Sequence, residues 1–205
     1  IAIDTTDRTL SDLWSEFGER RKTITLTEDQ YQVFQSISDS IKSAKYNAFL
    51  LEGVTGSGKT EIYLEAIRET LAQGRTALVL VPEITLTTHL AARFRGEFQD
   101  QIAIWHSRLT QAQRSAIWGA VLRGEFPVVI GARSAIFMPL PNLGLIIVDE
   151  EQDNSFKQKS PEPRYHARDA ALLRGVESQA TVVLGSATPS LESQYNAITG
   201  KLNKL

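Results

Sequence analysis

Eight consecutive residues, Gly53-Val54-Thr55-Gly56-Ser57-Gly58-Lys59-Thr60, constrain this chain more than any other feature. They follow the apolar run Phe49 to Leu51 and lead into a helical pattern through Leu64, Ile67 and Leu71. Glycines so placed let successive backbone N–H groups turn inward around phosphate oxygens, and a helix starting at the loop adds the partial positive charge of its N-terminus. The spacing G-x-x-x-x-G-K-S/T between a strand and a helix therefore predicts a nucleotide-binding cradle built from Gly53, Thr55, Gly56, Ser57, Gly58, Lys59 and Thr60. Lys59 is expected to supply a point charge to the outer phosphates, and the Thr60 hydroxyl to ligate Mg²⁺. A Gly-rich turn that binds nothing is the plain alternative, and both flanks argue against it.

Short apolar runs recur on either side of this loop, at residues 48–51, 77–81, 102–105, 128–130, 145–148 and 181–184, with amphipathic stretches between most of them. Strands buried on both faces are continuously apolar, and βα repetition forces a mostly parallel sheet flanked by helices. The fold class is α/β. A helix is expected to enter the domain after Thr27, a suitable N-cap followed by Glu28 and Asp29, with Tyr31, Phe34, Ile37 and Ile41 at helical spacing. Residues 1–25 read as a linker or tail and residues 26–205 as one ATP-binding domain. With 205 residues and 42% hydrophobic content, the chain supports one substantial core.

The run Leu145 to Val148 ends in Asp149-Glu150-Glu151-Gln152. In open α/β sheets ligands bind at the carboxyl ends of the strands. Asp149 is thus expected to hold Mg²⁺ and Glu150 to orient and deprotonate the water that attacks the γ-phosphate, with Lys59 completing the catalytic set. Taken alone, an acidic triplet after a strand is more often a solvated turn or a helix start; its partnership with the phosphate loop favours hydrolysis.

The 22 basic and 24 acidic residues give a formal charge of -2, so any contact with nucleic acid has to be local. The absence of cysteine excludes disulfides and thiolate metal sites, and no apolar run approaches the roughly 20 residues of a membrane helix. No membrane contact is expected, and a reducing cytoplasm fits best.

The ordered set Thr27 to Gln30, Gly53 to Thr60, Val81-Pro82-Glu83-Ile84-Thr85, Asp149 to Gln152 and Gly185-Ser186-Ala187-Thr188-Pro189 resembles the motifs of superfamily 2 helicases over residues 25–200. Gly131-Ala132-Arg133-Ser134-Ala135-Ile136-Phe137 and Arg164-Tyr165-His166-Ala167-Arg168-Asp169 narrow the resemblance to PriA-type replication-restart helicases. It implies the first RecA-like P-loop NTPase lobe of a DNA motor, with ATP and Mg²⁺ as cofactors. It also implies that Gln30 recognises the adenine edge, that Pro82, Thr85, Arg133 and Ser134 lie along the DNA backbone, and that Ser186 and Thr188 couple hydrolysis to lobe movement.

Residues 156–165 resemble the aromatic-rich loop by which PriA and RecQ helicases link single-strand binding to ATP turnover. Phe156, Tyr165 and His166 are suited to stack on bases, and Lys157, Lys159, Arg164 and Arg168 to neutralise phosphates. A solvated connector is the bland alternative. Where the family usually has His, the chain has Gln152, which donates and accepts hydrogen bonds but carries no charge, so coupling between ATP and DNA is expected to differ. His106 is read as structural.

The expected function is ATP-driven unwinding in replication restart, on single-stranded and forked DNA, with single-strand-binding protein and primosome proteins as partners by resemblance. The resemblance also implies a second motor lobe, a zinc module and an N-terminal DNA-binding region, none of them visible in this sequence, so isolated hydrolysis should be weak. A noncatalytic ATP-switched binding module, or another superfamily 2 translocase, is the alternative.

Overall fold

A computed structural model describes residues 25–85 and 89–205. Except for Thr25, the expected linker or tail over residues 1–25 lies outside the described residues. The chain runs α1 (Glu28–Ser43), β1 (Asn47–Glu52), α2 (Lys59–Ala72), β2 (Thr76–Leu80), α3 (His89–Phe98), β3 (Ile102–Trp105), α4 (Gln111–Leu122), β4 (Val128–Gly131), β5 (Leu143–Asp149), α5 (Ala167–Ser178), β6 (Thr181–Ser186), α6 (Leu191–Ile198) and β7 (Asn203–Lys204). The strands form one sheet in the order β3-β4-β2-β5-β6-β1-β7, every pair parallel.

Each apolar run read from the sequence becomes one of these strands. β2 and β6 are buried at every position, as strands covered on both faces must be. Parallel neighbours need a crossover, and helices fill most of those connections. Thr27 caps α1 in a reciprocal box: its hydroxyl accepts from Gln30 N, and the Gln30 side chain accepts from Thr27 N at 2.9 Å. Ile37 and Ile41 are fully buried. The Ser40 hydroxyl shares a buried 2.8 Å hydrogen bond with that of Thr181, closing α1 onto β6. Phe34 packs partly buried against the same core, and Tyr31 stays exposed at the start of the helix.

β7 differs from expectation. It was not among the strands read from the sequence; α6 ends at Ile198, and the chain turns at Gly200, at φ +74°. Asn203 and Lys204 then pair with Phe49 and Leu50. A two-residue edge strand is too short to show a periodicity, and its pairing is set by the neighbouring strand.

Register positions the site. Glu52 of β1 lies opposite Ser186 of β6, and Asp149 of β5 opposite Gly185. The carboxyl ends of β1, β6 and β5 are therefore level, and the loops leaving them share one rim.

Candidate nucleotide site and its coupling network

The phosphate loop leaves β1 with Gly53 N bonded to Ser186 O at 3.0 Å. It turns through Gly56 and Gly58, at φ +81° and +85°, conformations that a side chain resists. At Gly58 a Cβ would also lie 2.3 Å from Gln30 Nε2. The Lys59 ammonium is folded into the loop, donating to Gly53 O at 2.6 Å and approaching Val54 O at 3.5 Å. Thr60 follows in the first turn of α2, which begins at Lys59 with no side-chain cap on its first N–H groups. Gln30 also has a task that the sequence did not reveal: its Nε2 donates to Ser57 O at 2.8 Å, tying the start of α1 to the phosphate loop.

At the end of β5, the Tyr63 hydroxyl of α2 donates to Asp149 Oδ1 at 2.9 Å. Burial, opposed by this bond and by the charge of Lys59, raises the Asp149 carboxyl above its ordinary value. Burial first and the Asp149 charge second hold the Tyr63 phenol well above its ordinary value, so it remains a donor. Glu150 adopts φ +50°, a conformation that costs on the order of 1–3 kcal/mol and persists only when its surroundings enforce it. Here the next residue is fixed: Glu151 N donates to Gly185 O at 3.0 Å, and Asp153 N closes a turn on Glu150 O at 2.8 Å.

The Glu151 carboxylate is fully buried. It accepts from Arg168 Nη1 at 3.2 Å, from Ser190 N at 2.7 Å, from the Ser190 hydroxyl at 3.0 Å and from the Ser193 hydroxyl at 2.8 Å. That pattern satisfies a charge that would otherwise be prohibitive to bury. Gln152 bridges the acidic motif to β6: its Nε2 donates to Glu150 Oε2 at 2.8 Å and its Oε1 accepts from the Ser186 hydroxyl at 2.6 Å. Ser186 Oγ in turn accepts from Thr188 N at 2.9 Å. A neutral amide thus joins Glu150 to Ser186 and Thr188 by using one donor and one acceptor.

The remaining expected contacts are redistributed. Residues 157–166 form a small hairpin, with Lys157 opposite His166 and Gln158 N donating to Tyr165 O at 2.8 Å. Lys157, Lys159 and Arg164 are exposed on it. Phe156 is fully buried in the core and has no face to offer a base, which corrects its assignment as a stacking residue. Arg168 is likewise corrected: it is 7% exposed and held by Glu151, Asp169 and Ser190, so it is an internal ion-pair partner and not a phosphate contact. His166 caps α5, its Nδ1 accepting from Arg168 N at 3.3 Å; burial, then the Arg168 charge, keep the imidazole below its ordinary value and hence suited to accept. It is half-buried, as is Tyr165, whose ring meets Phe137 edge-on at 5.0 Å.

Arg133 does not project as a free cation. Its Nη1 donates to Ser155 O and Lys157 O at 3.3 and 3.0 Å, clamping the base of the hairpin. Ser134 is exposed and accepts from Trp105 Nε1 at 3.0 Å. Pro82 is buried, and the Thr85 hydroxyl donates to Pro82 O at 2.6 Å within the turn after β2. Sequence reasoning missed Tyr63 and Glu151. The spacing of Tyr63 four residues after Lys59 was the available signal, since it places both on one face of α2.

A phosphate loop with its Lys after β1, two carboxylates at the end of the parallel strand two places away and a hydroxyl motif at the end of the strand between them define a P-loop NTPase lobe of RecA-like architecture. The donor set suits a nucleotide triphosphate with Mg²⁺: amides and Lys59 for phosphate, Thr60 and Asp149 for a hard cation. The chain belongs to the DEAD/DEAH box helicase family, whose model matches residues 27–197. Membership implies the use of ATP with Mg²⁺. The chain is 47% identical over 182 residues to the replication restart protein PriA of Bacillus subtilis, covering 89% of this chain and 22% of that protein. With the PriA of Synechocystis sp. the identity is 51% over 170 residues, covering 83% and 20%. The chain therefore spans about a fifth of these relatives.

Among solved structures, RecG bound to a three-way DNA junction aligns with a TM-score of 0.67 and 26% identity, covering 89% of this chain and 24% of that one. The DUF1998 helicase MrfA bound to DNA aligns with a TM-score of 0.59 at 17% identity, over 88% and 25%, and shows the fold alone. Among the described residues, no helix is long and apolar enough to cross a membrane.

Proposed function

We propose that this chain is the ATP-hydrolysing lobe of a DNA motor acting in replication restart. The observation that carries the proposal is the hydrogen-bonded path from Glu150 through Gln152 to Ser186 and Thr188, since it ties the water-activating carboxylate to a neighbouring strand end. Lys59, Thr60 and the N–H groups of residues 54–60 bind and orient the triphosphate; Glu150 positions the attacking water and takes its proton. Asp149 and Thr60 hold Mg²⁺, which supplies charge stabilisation to the phosphoryl oxygens. Adenine recognition by Gln30 is part of the same proposal, through the second N–H and the second lone pair that its bonds to Ser57 O and Thr27 N leave over. The PriA likeness supports forked DNA as substrate, and single-strand-binding protein and primosome proteins as partners.

The hairpin is the proposed DNA sensor. Lys157, Lys159 and Arg164 provide local positive charge on it, opposed there by Glu162 at 3.9 Å from Arg164, and Arg133 joins the hairpin base to the segment after β4. Tyr165 and His166 each keep a partly exposed ring beside those cations. Replacing Lys157, Lys159 and Arg164 together with Gln should weaken binding to a single-stranded oligonucleotide and reduce the salt dependence, log K against log salt, by about 2, from roughly 0.7 per phosphate contact. Fluorescence anisotropy over a salt series measures this. An unchanged slope would remove the hairpin from the DNA interface.

A further inference from the structure

Tyr63 stands out among the groups that the proposed reaction does not use. It is a fully buried tyrosine on α2, one helical turn beyond Lys59, whose side-chain hydroxyl meets one oxygen of the carboxylate proposed to hold Mg²⁺. Buried phenols require a hydrogen-bond partner, but a partner on the phosphate-binding rim is a specific choice. Gly185 makes the choice tighter: a Cβ there would lie 1.7 Å from the Tyr63 hydroxyl and 3.4 Å from Asp149 Oδ1. Residue 185 is thus kept without a side chain by the space that the hydroxyl occupies. Three elements, α2 behind the phosphate loop, β5 and β6, converge on this one oxygen.

We propose that Tyr63 is a positioning residue for the metal site: by occupying Asp149 Oδ1 it fixes the carboxylate's rotation and leaves Oδ2 to face the cation, with Gly185 reserving the space for the phenol. The proposal rests on the assignment of Asp149 as a Mg²⁺ ligand. Hydrogen-bond partners of ligating carboxylates orient them, and their loss commonly weakens metal affinity or activity by about 10- to 100-fold. The Tyr63 hydroxyl also links the metal site to the strand that carries Ser186, because Gly185 and Ser186 are consecutive.

The test is calorimetric titration of the chain with ATP, first in EDTA and then at stepped Mg²⁺, comparing Tyr63→Phe, Gly185→Ala, their combination and Asp149→Asn. Tyr63→Phe retains the ring and its packing. The expected result is metal-free ATP affinity equal to that of the unaltered chain, with the apparent Mg²⁺ affinity of the ATP complex reduced about 10- to 100-fold. Gly185→Ala should reproduce the loss by displacing the hydroxyl, and the double variant should lose no more than either single one, as coupled neighbours do. Mg²⁺ affinity unchanged in Tyr63→Phe overturns the proposal, as does an equal loss of ATP affinity with and without Mg²⁺. If Asp149→Asn leaves Mg²⁺ affinity intact, the assignment of Asp149 fails, and this inference with it; if only Asp149→Asn abolishes it, that assignment stands and the role of Tyr63 does not.

Discussion

Glu150→Gln should lower steady-state ATP hydrolysis by about 10²- to 10⁴-fold, the usual contribution of a positioned general base, while leaving Mg-ATP affinity unchanged. The reason is geometric. Glu150 stands on the rim shared with the phosphate loop, but phosphate binding is assigned to Lys59, Thr60 and loop amides; its carboxylate instead meets Gln152. Glutamine retains the side-chain length and can still hydrogen-bond residue 152, but it cannot take a proton. Stopped-time phosphate release and equilibrium binding of a fluorescent ATP analogue measure the two quantities separately. Loss of both together would make Glu150 a binding or folding residue; loss of neither would leave a nucleotide-binding module without turnover.

The second large effect is on stability. Arg168→Met leaves the fully buried Glu151 without its cation, and breaking a buried pair by removing one partner costs about 3–5 kcal/mol. Ser190 and Ser193 still donate to Glu151, so the lower end is expected. For a domain of this size 1 kcal/mol shifts the melting temperature by about 2–4 °C, so a loss of about 3 kcal/mol should lower it by roughly 6–12 °C. Adding Glu151→Leu to Arg168→Met should recover only part of it, because the uncompensated charge is removed while Ser190 N and the Ser193 hydroxyl lose their acceptor. Thermal unfolding followed by circular dichroism distinguishes this from a surface role, in which Arg168→Met would leave the melting temperature in place and weaken only DNA binding.

Most of the frame was legible in the sequence because it follows from local composition. Continuous apolar runs gave the six principal strands, and the strand–glycine loop–helix order gave the phosphate cradle with its Lys and Thr. The acidic residues were placed correctly on the rim because a parallel sheet presents all its carboxyl ends on one edge. What sequence could not assign was the direction of individual side chains. Phe156 and Arg168 have the composition of a nucleic-acid loop, yet the three-residue turn Asn154–Phe156 drives the first into the core and the cap at His166 turns the second toward Glu151. Arg133 was read as lying along the DNA backbone; nothing in the sequence signalled that its Nη1 also clamps the carbonyls of Ser155 and Lys157, far along the chain. Gln152 was read as a departure that alters coupling; the structure shows it linking Glu150 to Ser186, a bridge that depends on register between β5 and β6 and has no local signature. The edge strand β7 had too few residues to announce itself.

The proposed motor role requires that ATP hydrolysis by this lobe depend on DNA. Its most direct test is steady-state ATP hydrolysis by a chimera in which residues 25–205 replace the segment they match in the Bacillus subtilis relative, with and without forked DNA, beside the same chimera carrying Lys59→Ala. Strong stimulation by forked DNA that Lys59→Ala abolishes is the predicted result. Turnover that ignores DNA while ATP still binds, or DNA-stimulated turnover that survives Lys59→Ala, would contradict it.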